Sequence, residues 1–290
     1  MKKSTIIAFA YIVVAFLMFS LSPAIVHMLT YRQPVFVNIT KMTEEKVMPV
    51  MQIESQVDAL IKDSLGLNIQ VEVSVTDNPA LCRVSYPTDI VEIVCKDGKF
   101  SYRFSPSFLH KVKEGMKLVA SDKETKEPPL ADADSVVVLT ENNVDRDRLI
   151  VIKVVTTEAL HQVRLRNQEH LVLSRAVLPK LLCHVRADMD VEKDSKIGHL
   201  VLEGHSSLEV NACVVDTLEL ECRRRGEYAE SLYQLSCNDG GHIRNLIVNG
   251  SGDVNIGEDT CIDHITVNPA AHEIINLTRV NYVEKSIVLK

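Results

Sequence analysis

Ile197-Gly-His-Leu-Val-Leu-Glu-Gly204 and Ile243-Arg-Asn-Leu-Ile-Val-Asn-Gly250 are two copies of one phrase. After each terminal glycine comes a polar pair, then Leu208-Glu-Val210 in the first copy and Val254-Asn-Ile256 in the second. Cys213 or Cys261 follows, then Leu218-Glu-Leu220 or Ile265-Thr-Val267, with an offset that drifts from 46 to 48 residues. Similar triplets recur at Tyr233 to Leu235, Ile275 to Leu277 and Ile287 to Leu289. A unit that repeats at a fixed spacing is the mark of a stacked architecture.

Three-residue strands are too short to hold a hairpin on their own. They become stable when successive coils pile up, each strand pairing with the one a coil earlier at about 4.8 Å. Inward aliphatic side chains then form ladders, and Gly and Asn turn the corners where φ is positive. Gly250-Ser-Gly252-Asp253 supplies such corner chemistry at the place of Gly204-His-Ser-Ser207. The fold expected is all-β, a short-strand β-solenoid; an antiparallel β-sandwich is the alternative that the same triplets leave open.

Upstream, Ile69, Val71, Val73 and Val75 alternate with polar residues as a half-buried strand does. Asn78-Pro79 reads as a turn, Leu81 to Tyr86 and Ile90 to Cys95 as strands, and Asp97-Gly98 as a tight hairpin turn into Phe100 to Phe104. Ser121 to Asp134 reads as a loop; Val136 to Leu139, Leu149 to Val155 and Leu171 to Leu173 read as further strands. Met48 to Gly66 carries two patterns. Met51, Ile53, Ser55 and Val57 alternate like a strand, while Val57, Leu60, Ile61 and Leu65 share a helical face ending at Gly66. A short helix from about Ser55 is the expectation. Residues 31–66 are read as a membrane-proximal linker and residues 67–290 as one extracytoplasmic domain.

Residues 1–30 set the expected location of everything after them. Lys2 and Lys3 precede an uncharged stretch from Ser4 to Tyr31 with an apolar core from Ile6 to Leu21. As a helix, Thr5 to Leu29 reaches ~37 Å, enough for a hydrocarbon core of ~30 Å. Positive charge at the start places Met1 in the cytoplasm and the remainder outside. A signal peptide cleaved after Ala24, in Ser22-Pro23-Ala24, is the alternative. The apolar run beyond it, through Leu29, favours an uncleaved anchor in the inner membrane, with the rest periplasmic or extracellular. Cleavage near Ala24 would make the protein secreted.

Hydrophobic residues make up 46% of the 290, Trp is absent, and Phe and Tyr number seven each. Abundant β-branched aliphatics suit a narrow β-core. The net charge of −7 provides no field to draw in nucleic acid. Arg223-Arg224-Arg225 lies among glutamates and reads as a solvated turn. Seven cysteines are an odd number, so one thiol at least is unpaired within the chain. Cys82 and Cys95 bracket a strand-turn-strand and are spaced to pair. Cys222 and Cys237 share a strand face with Leu220 and Leu235, and are read as core residues first and bridges second.

The strand Ile69 to Asp77, then Cys82-Arg-Val-Ser-Tyr-Pro87, a hairpin ending in Lys96-Asp-Gly98, and short strands with Gly-Ser-Gly corners together resemble a known family. It is the GIN-type head domain of putative autotransporter adhesins, a β-solenoid family of Bacteroidota envelope proteins. The resemblance covers about residues 67–290 and implies a binding scaffold. It brings no catalytic residues. Only Gly250-Ser-Gly252 keeps the family's corner intact, and seven cysteines exceed the family's habit.

Candidate chemistry is sparse. Asp188, Asp190, Glu192 and Asp194 fall at alternate positions, so an extended chain aligns them for a cation such as Ca²⁺, or they guard a solvated strand edge. Cys261, His264 and His272 are soft ligands close in sequence, although structural zinc wants four. Cys183-His184 sits beside Leu181-Leu182, an apolar setting for a thiol. Asp253, Asp259, Asp263 and His264 are the one carboxylate cluster available to a glycan-cleaving enzyme. No nucleophile elbow, zinc-protease helix or phosphate loop is present in the sequence. Asn38, Asn249 and Asn276 begin glycosylation triplets, which act only in a eukaryotic secretory route.

These readings point to a non-enzymatic, membrane-anchored cell-envelope protein that presents a binding or structural surface. Its expected partners are an envelope protein or glycan, and the lipid bilayer through the N-terminal helix, with no cofactor, metal or nucleic acid. A carbohydrate-active enzyme on the same scaffold is one alternative. A single-pass envelope sensor acting through a membrane partner is another.

Overall fold

The structure, a computed structural model, describes residues 42–121, 149–166, 168–186, 188–204, 206–222, 231–269, 275–279 and 287–289. The leader 1–30, Val136 to Leu139, the Arg223 to Arg225 run, Asn38 and His272 lie outside the described residues. Among the described residues, no helix is long and apolar enough to cross a membrane.

The described residues open with β1 (Met42–Lys46), β2 (Gln52–Ser55), helix α1 (Ala59–Leu65), β3 (Asn68–Val75) and β4 (Arg83–Pro87). Then come β5 (Val91–Lys96), β6 (Lys99–Phe104), helix α2 (Pro106–Ser121), β7 (Leu149–Thr156), β8 (Gln162–Arg164) and β9 (His170–Leu173). Next are β10 (Val177–Val185), β11 (Met189–Val191), β12 (Lys196–Gly204), β13 (Ser206–Asn211) and β14 (Val214–Cys222). The last are β15 (Ser231–Asn238), β16 (His242–Gly250), β17 (Gly252–Ile256), β18 (Cys261–Pro269), β19 (Ile275–Arg279) and β20 (Ile287–Leu289).

They form two ten-stranded sheets. The first has the order β1-β4-β7-β3-β9-β11-β13-β15-β17-β19, and the second β5-β6-β2-β8-β10-β12-β14-β16-β18-β20. From β10 onward each strand pairs in parallel with the strand two places before it, so the chain alternates between the sheets. The same rule carries β16 to β20. Among the described residues, antiparallel pairing is confined to β1-β4-β7 and β5-β6, so an antiparallel sandwich does not account for the repeat region.

Register turns the sequence repeat into ladders. Leu181, Leu200, Leu218, Leu246 and Ile265 stand one above another on five successive strands of the second sheet. All five are at most 4% exposed. Burying each such side chain is worth about 1.5–3 kcal/mol. The 46-residue offset between the two phrases spans two coils, not one. Lys196 pairs with Val214, 18 residues on; Val214 pairs with His242, 28 residues on, the extra length lying around 223–230. Gly250 turns a corner at φ +90, where an added Cβ would stand 1.9 Å from the Cys222 carbonyl oxygen. Any side chain there meets backbone.

The beginning of the described chain is not a linker. β1 pairs with β4 in the first sheet, and β2 pairs with β6 and β8 in the second. The strand-like alternation through Ile53 and Ser55 wins over the helix there, because both side chains face the core at 1% and 0% exposure. The helix begins later. Asp58 caps α1 by accepting from Leu60 N–H and Ile61 N–H, Gly66 closes it in the left-handed region, and Leu60 faces solvent instead of the core.

Helix α2 was not foreseen. Its start is nonetheless written in Ser105-Pro106, with Ser105 Oγ accepting from Phe108 N–H at 3.2 Å and proline at the first turn. Phe108 and Val112, four apart, bury its inner face. The Asp97-Gly98 hairpin holds, with both residues at positive φ.

All seven cysteines are free thiols. Cys82 is buried and Cys95 exposed, so the pairing their spacing allowed does not form. Cys222 and Cys237 are buried beside Leu220 and Leu235, as their strand positions predict.

Candidate functional site

On the outer side of the first sheet, a half-open groove of about 560 Å³ crosses the strands near their beginnings. Asn68 opens β3, Leu149 opens β7, His170 opens β9, and Asp188 directly precedes β11. Ser207 on β13 and Gln234 on β15 continue the line, while Arg186 and Gln168 reach in from the corners before β11 and β9. Leu149 and Leu232 give it apolar contact surface. Six adjacent strands at about 4.8 Å each make a trough roughly 24 Å long. Alternation puts it there. The residues between the buried ladder positions of each strand must face outward, and in-register stacking lines them up.

His170 Nε2 lies 3.0 Å from Asp190 Oδ2 on the next strand. That hydrogen bond, then the charges of Asp190, Asp188 and Glu209, holds the imidazole's pKa above its ordinary value, against the opposing effect of burial. The groove thus mixes a readily protonated histidine and Arg186 with carboxylates and amides. The side chains of Gln168, Arg186 and Gln234 hydrogen-bond to no other described residue, which leaves their donors and acceptors facing solvent. Such a surface is equipped to bind hydroxyl-rich or peptide groups.

The acidic row is only partly brought together. Asp188 and Asp190 share the groove region, but Glu192 and Asp194 turn away in the corner after β11, with Asp194 at φ 64. β11 is an interior strand between β9 and β13, so its acids do not guard a sheet edge. Among the described residues, no three His, Cys, Asp or Glu side chains are placed to hold a metal ion.

The outer face of the second sheet is different in kind. His184 pairs with Glu203 at 2.9 Å, His199 with Glu219 at 2.8 Å, His242 with Asp263 at 2.9 Å and Arg244 with Asp216 at 2.7 Å. Asn249 donates to Glu219 and Glu221, and Asn268 donates to Asn249. Each of these four pairs joins side chains one coil apart. Cross-strand pairs of this kind fix register more than they supply energy.

The glycan-cleaving cluster is not assembled. Asp253 faces outward on β17 of the first sheet, Asp263 and His264 face outward on β18 of the second, and Asp259 is in the turn between. Two carboxylates must flank one glycosidic bond for that chemistry. Cys183 is fully buried, with its thiol's pKa pushed up by burial, and His184 points the other way to Glu203. Asn249, of the glycosylation triplets, lies within the polar network of β16.

Sequence reasoning missed one interior site. Glu169 is 1% exposed, accepts from Ser55 Oγ at 2.6 Å and from Arg166 N–H at 2.9 Å, and has its pKa pushed up to about 7 by burial. Tyr102 Oη is buried beside Ser55 and Glu169 without hydrogen-bond geometry to either. The partners come from β2, β6 and the corner before β9, more than forty residues apart, so no local motif marks them.

No family model matches the chain, and no curated protein matches it. Solved structures are similar at a distance. A putative adhesin from Bacteroides fragilis has 10% identity and a TM-score of 0.43 over 83% of this chain and 96% of its own. A putative lipid binding protein from Parabacteroides distasonis has 12% identity and a TM-score of 0.38 with the same coverage. A putative adhesin from Parabacteroides merdae has 8% identity and a TM-score of 0.35, again over 83% and 96%.

Proposed function

We propose that this chain is a non-enzymatic binding protein of the cell envelope, a two-faced β-solenoid held at the membrane or exported by residues 1–30. The groove on the first sheet is the observation that carries the reading. A trough across six strands, where Gln168, Arg186 and Gln234 present side chains bonded to no other described residue, suits an extended envelope glycan or a protein segment. The separation of Asp253 from Asp263 onto different sheets supports binding over glycan cleavage. The unbroken apolar leader after Lys2 and Lys3 supports the address.

The test is a panel of envelope glycans and envelope proteins screened against the full chain in detergent. Wild type is compared with Arg186→Ala/Gln234→Ala in the groove and His199→Ala on the other face. Groove substitution is expected to weaken binding at least about tenfold, the loss of two desolvated polar contacts, while His199→Ala leaves it unchanged. Equal binding by all three proteins, or glycan turnover that disappears with Asp263→Ala, would overturn the reading.

A further inference from the structure

The start of β18 brings together three side chains that the proposed groove does not use. Cys261 is the register partner of His242 on β16, and its Sγ lies 3.5 Å from His242 Nδ1. His242 Nε2 lies 2.9 Å from Asp263 Oδ2. Cys261 and Asp263 are two apart on one strand, so both point outward while Ile262 between them is buried. The imidazole is therefore held between a thiol and a carboxylate, one on each ring nitrogen.

That order has a chemical consequence. Asp263 accepts the Nε2–H proton, which fixes the tautomer and leaves the Nδ1 lone pair facing the thiol. Nucleophile, base and orienting carboxylate then stand in the sequence that activates a cysteine. A zinc site would need the imidazole and at least two further ligands to converge on one point. Here the thiol and the carboxylate sit on opposite edges of the ring.

The other cysteines sharpen the contrast. Cys82, Cys183, Cys213, Cys222 and Cys237 are buried, and burial raises the thiol pKa of Cys82, Cys183, Cys213 and Cys222. Cys95 is exposed, but burial of its sulfur and the Glu45 charge raise its pKa as well. Cys261 alone among the seven combines exposure with an imidazole at hydrogen-bond range.

We propose that Cys261, primed by His242 and Asp263, is a reactive thiol that takes up small-molecule disulfides as a mixed disulfide. The thiol proton passes to His242 Nδ1. The thiolate attacks one sulfur of RS–SR; the new Cys261–SR bond forms as the S–S bond breaks, and RS⁻ leaves with the proton from the imidazolium. One disulfide is consumed and one thiol released, with no other oxidant. No oxyanion cradle or enclosed cavity is described around Cys261, so the product is a modified protein, not a turnover cycle. Beyond the triad, the charged groups that sequence and register set beside it among the described residues include Asp239 in the turn before β16, Glu258 and Asp259 in the turn before β18, His264 on β18, and the Arg244–Asp216 pair on β16 and β14.

The full chain is treated with glutathione disulfide, and separately with dithiobis-nitrobenzoate, in a Cys95→Ser background and in the parent. Adduct sites are mapped by peptide mass, and rates are followed from pH 5 to 9. Cys261 is expected to react about tenfold or more faster than Cys95 at pH 7. His242→Gln and Asp263→Asn are expected to slow it and to shift its pH profile upward, with circular dichroism unchanged. Cys261→Ser is expected to abolish the fast phase. Equal rates for Cys261 and Cys95, or a rate and pH profile unmoved in a folded His242→Gln protein, would overturn the assignment.

Discussion

Tyr102 and Tyr233 are both fully buried, but they belong to differently built parts of the molecule. Tyr233, on β15 among the regular coils, has its hydroxyl engaged both as acceptor and as donor. Its Oη accepts from Gly204 N–H at 3.0 Å and donates toward Glu221 O at 3.0 Å and Leu202 O at 3.3 Å. It staples a corner of one coil to the end of the next. Tyr102, on β6, lies where β2, β6 and the corner before β9 meet, and its hydroxyl faces Glu169 and Ser55 with no bond of good geometry. In the coils the sequence order of the strands is their spatial order. At the amino-terminal end β7 is inserted between β4 and β3, and β2 between β6 and β8. Where packing repeats, a buried polar group such as Tyr233 Oη finds backbone partners on the neighbouring coil corner. Where strands converge from distant parts of the chain, polar groups are left in less settled company.

The largest expected effect tests whether the coils depend on their ladder. Leu218→Ala removes a fully buried side chain flanked by Leu200 above and Leu246 below. The cost should be about 2–5 kcal/mol, read as a fall in the urea midpoint at constant m-value. A loss under about 1 kcal/mol would mean that the ladder relaxes into the gap, and the distinction between the regions would weaken.

The second effect belongs to the amino-terminal joint and has an unusual sign. Glu169 titrates at about 7 in the fold, against about 4.3 in an unfolded chain. The folded state binds the proton more tightly, so stability is full below the unfolded value and declines as pH rises through 7. The whole change is about 4 kcal/mol. Glu54, whose pKa is lowered chiefly by its hydrogen bond to Lys99, works the other way at acid pH, so the difference between proteins is the quantity to measure. Glu169→Gln keeps the shape and removes the ionisation. It should come nearest to wild type at about pH 4, below the unfolded value, and exceed it at pH 8 in urea denaturation. Parallel pH curves for the two proteins would place the source of any pH dependence elsewhere.

This contrast also sets what was legible in the sequence. The coils were readable because the ladder positions carry aliphatics at the same offset, so Leu200 predicts Leu246 and Leu208 predicts Val254. Even there the period was doubled, because the coil between the matching phrases carries extra length near 223–230 and hides its own likeness. Strand β10 went unread: its run Val177 to Val185 contains Pro179, Lys180 and two adjacent leucines, which blur the alternation. β2 and α1 were confused because Val57 fits both periods, and only tertiary burial of Ser55 decides between them. The groove and the Cys261–His242–Asp263 set arise from residues on separate coils. Register, which pairs His242 with Cys261, is set by the fold and not by any local motif. The acids at 188 to 194 show the reverse, since a local pattern suggested one face and a corner divides it.

The smallest pair of effects separates the two tyrosines directly. Tyr233→Phe keeps the ring and deletes the hydroxyl, leaving the Gly204 N–H without its acceptor and two carbonyls without their donor. An unsatisfied buried group of this kind costs about 1–3 kcal/mol. Tyr102→Phe deletes a hydroxyl that has no settled partner, and removing it relieves a buried polar group instead of orphaning one. Its effect should lie within about 0.5 kcal/mol of zero or be stabilising. Urea midpoints of the two variants at pH 7 give the comparison, with ring burial unchanged in both. If Tyr102→Phe costs as much as Tyr233→Phe, the Tyr102 hydroxyl is bonded after all, to Glu169 or to a buried water. The amino-terminal joint would then be as fully satisfied as the coils, and the difference between the regions would reduce to strand order.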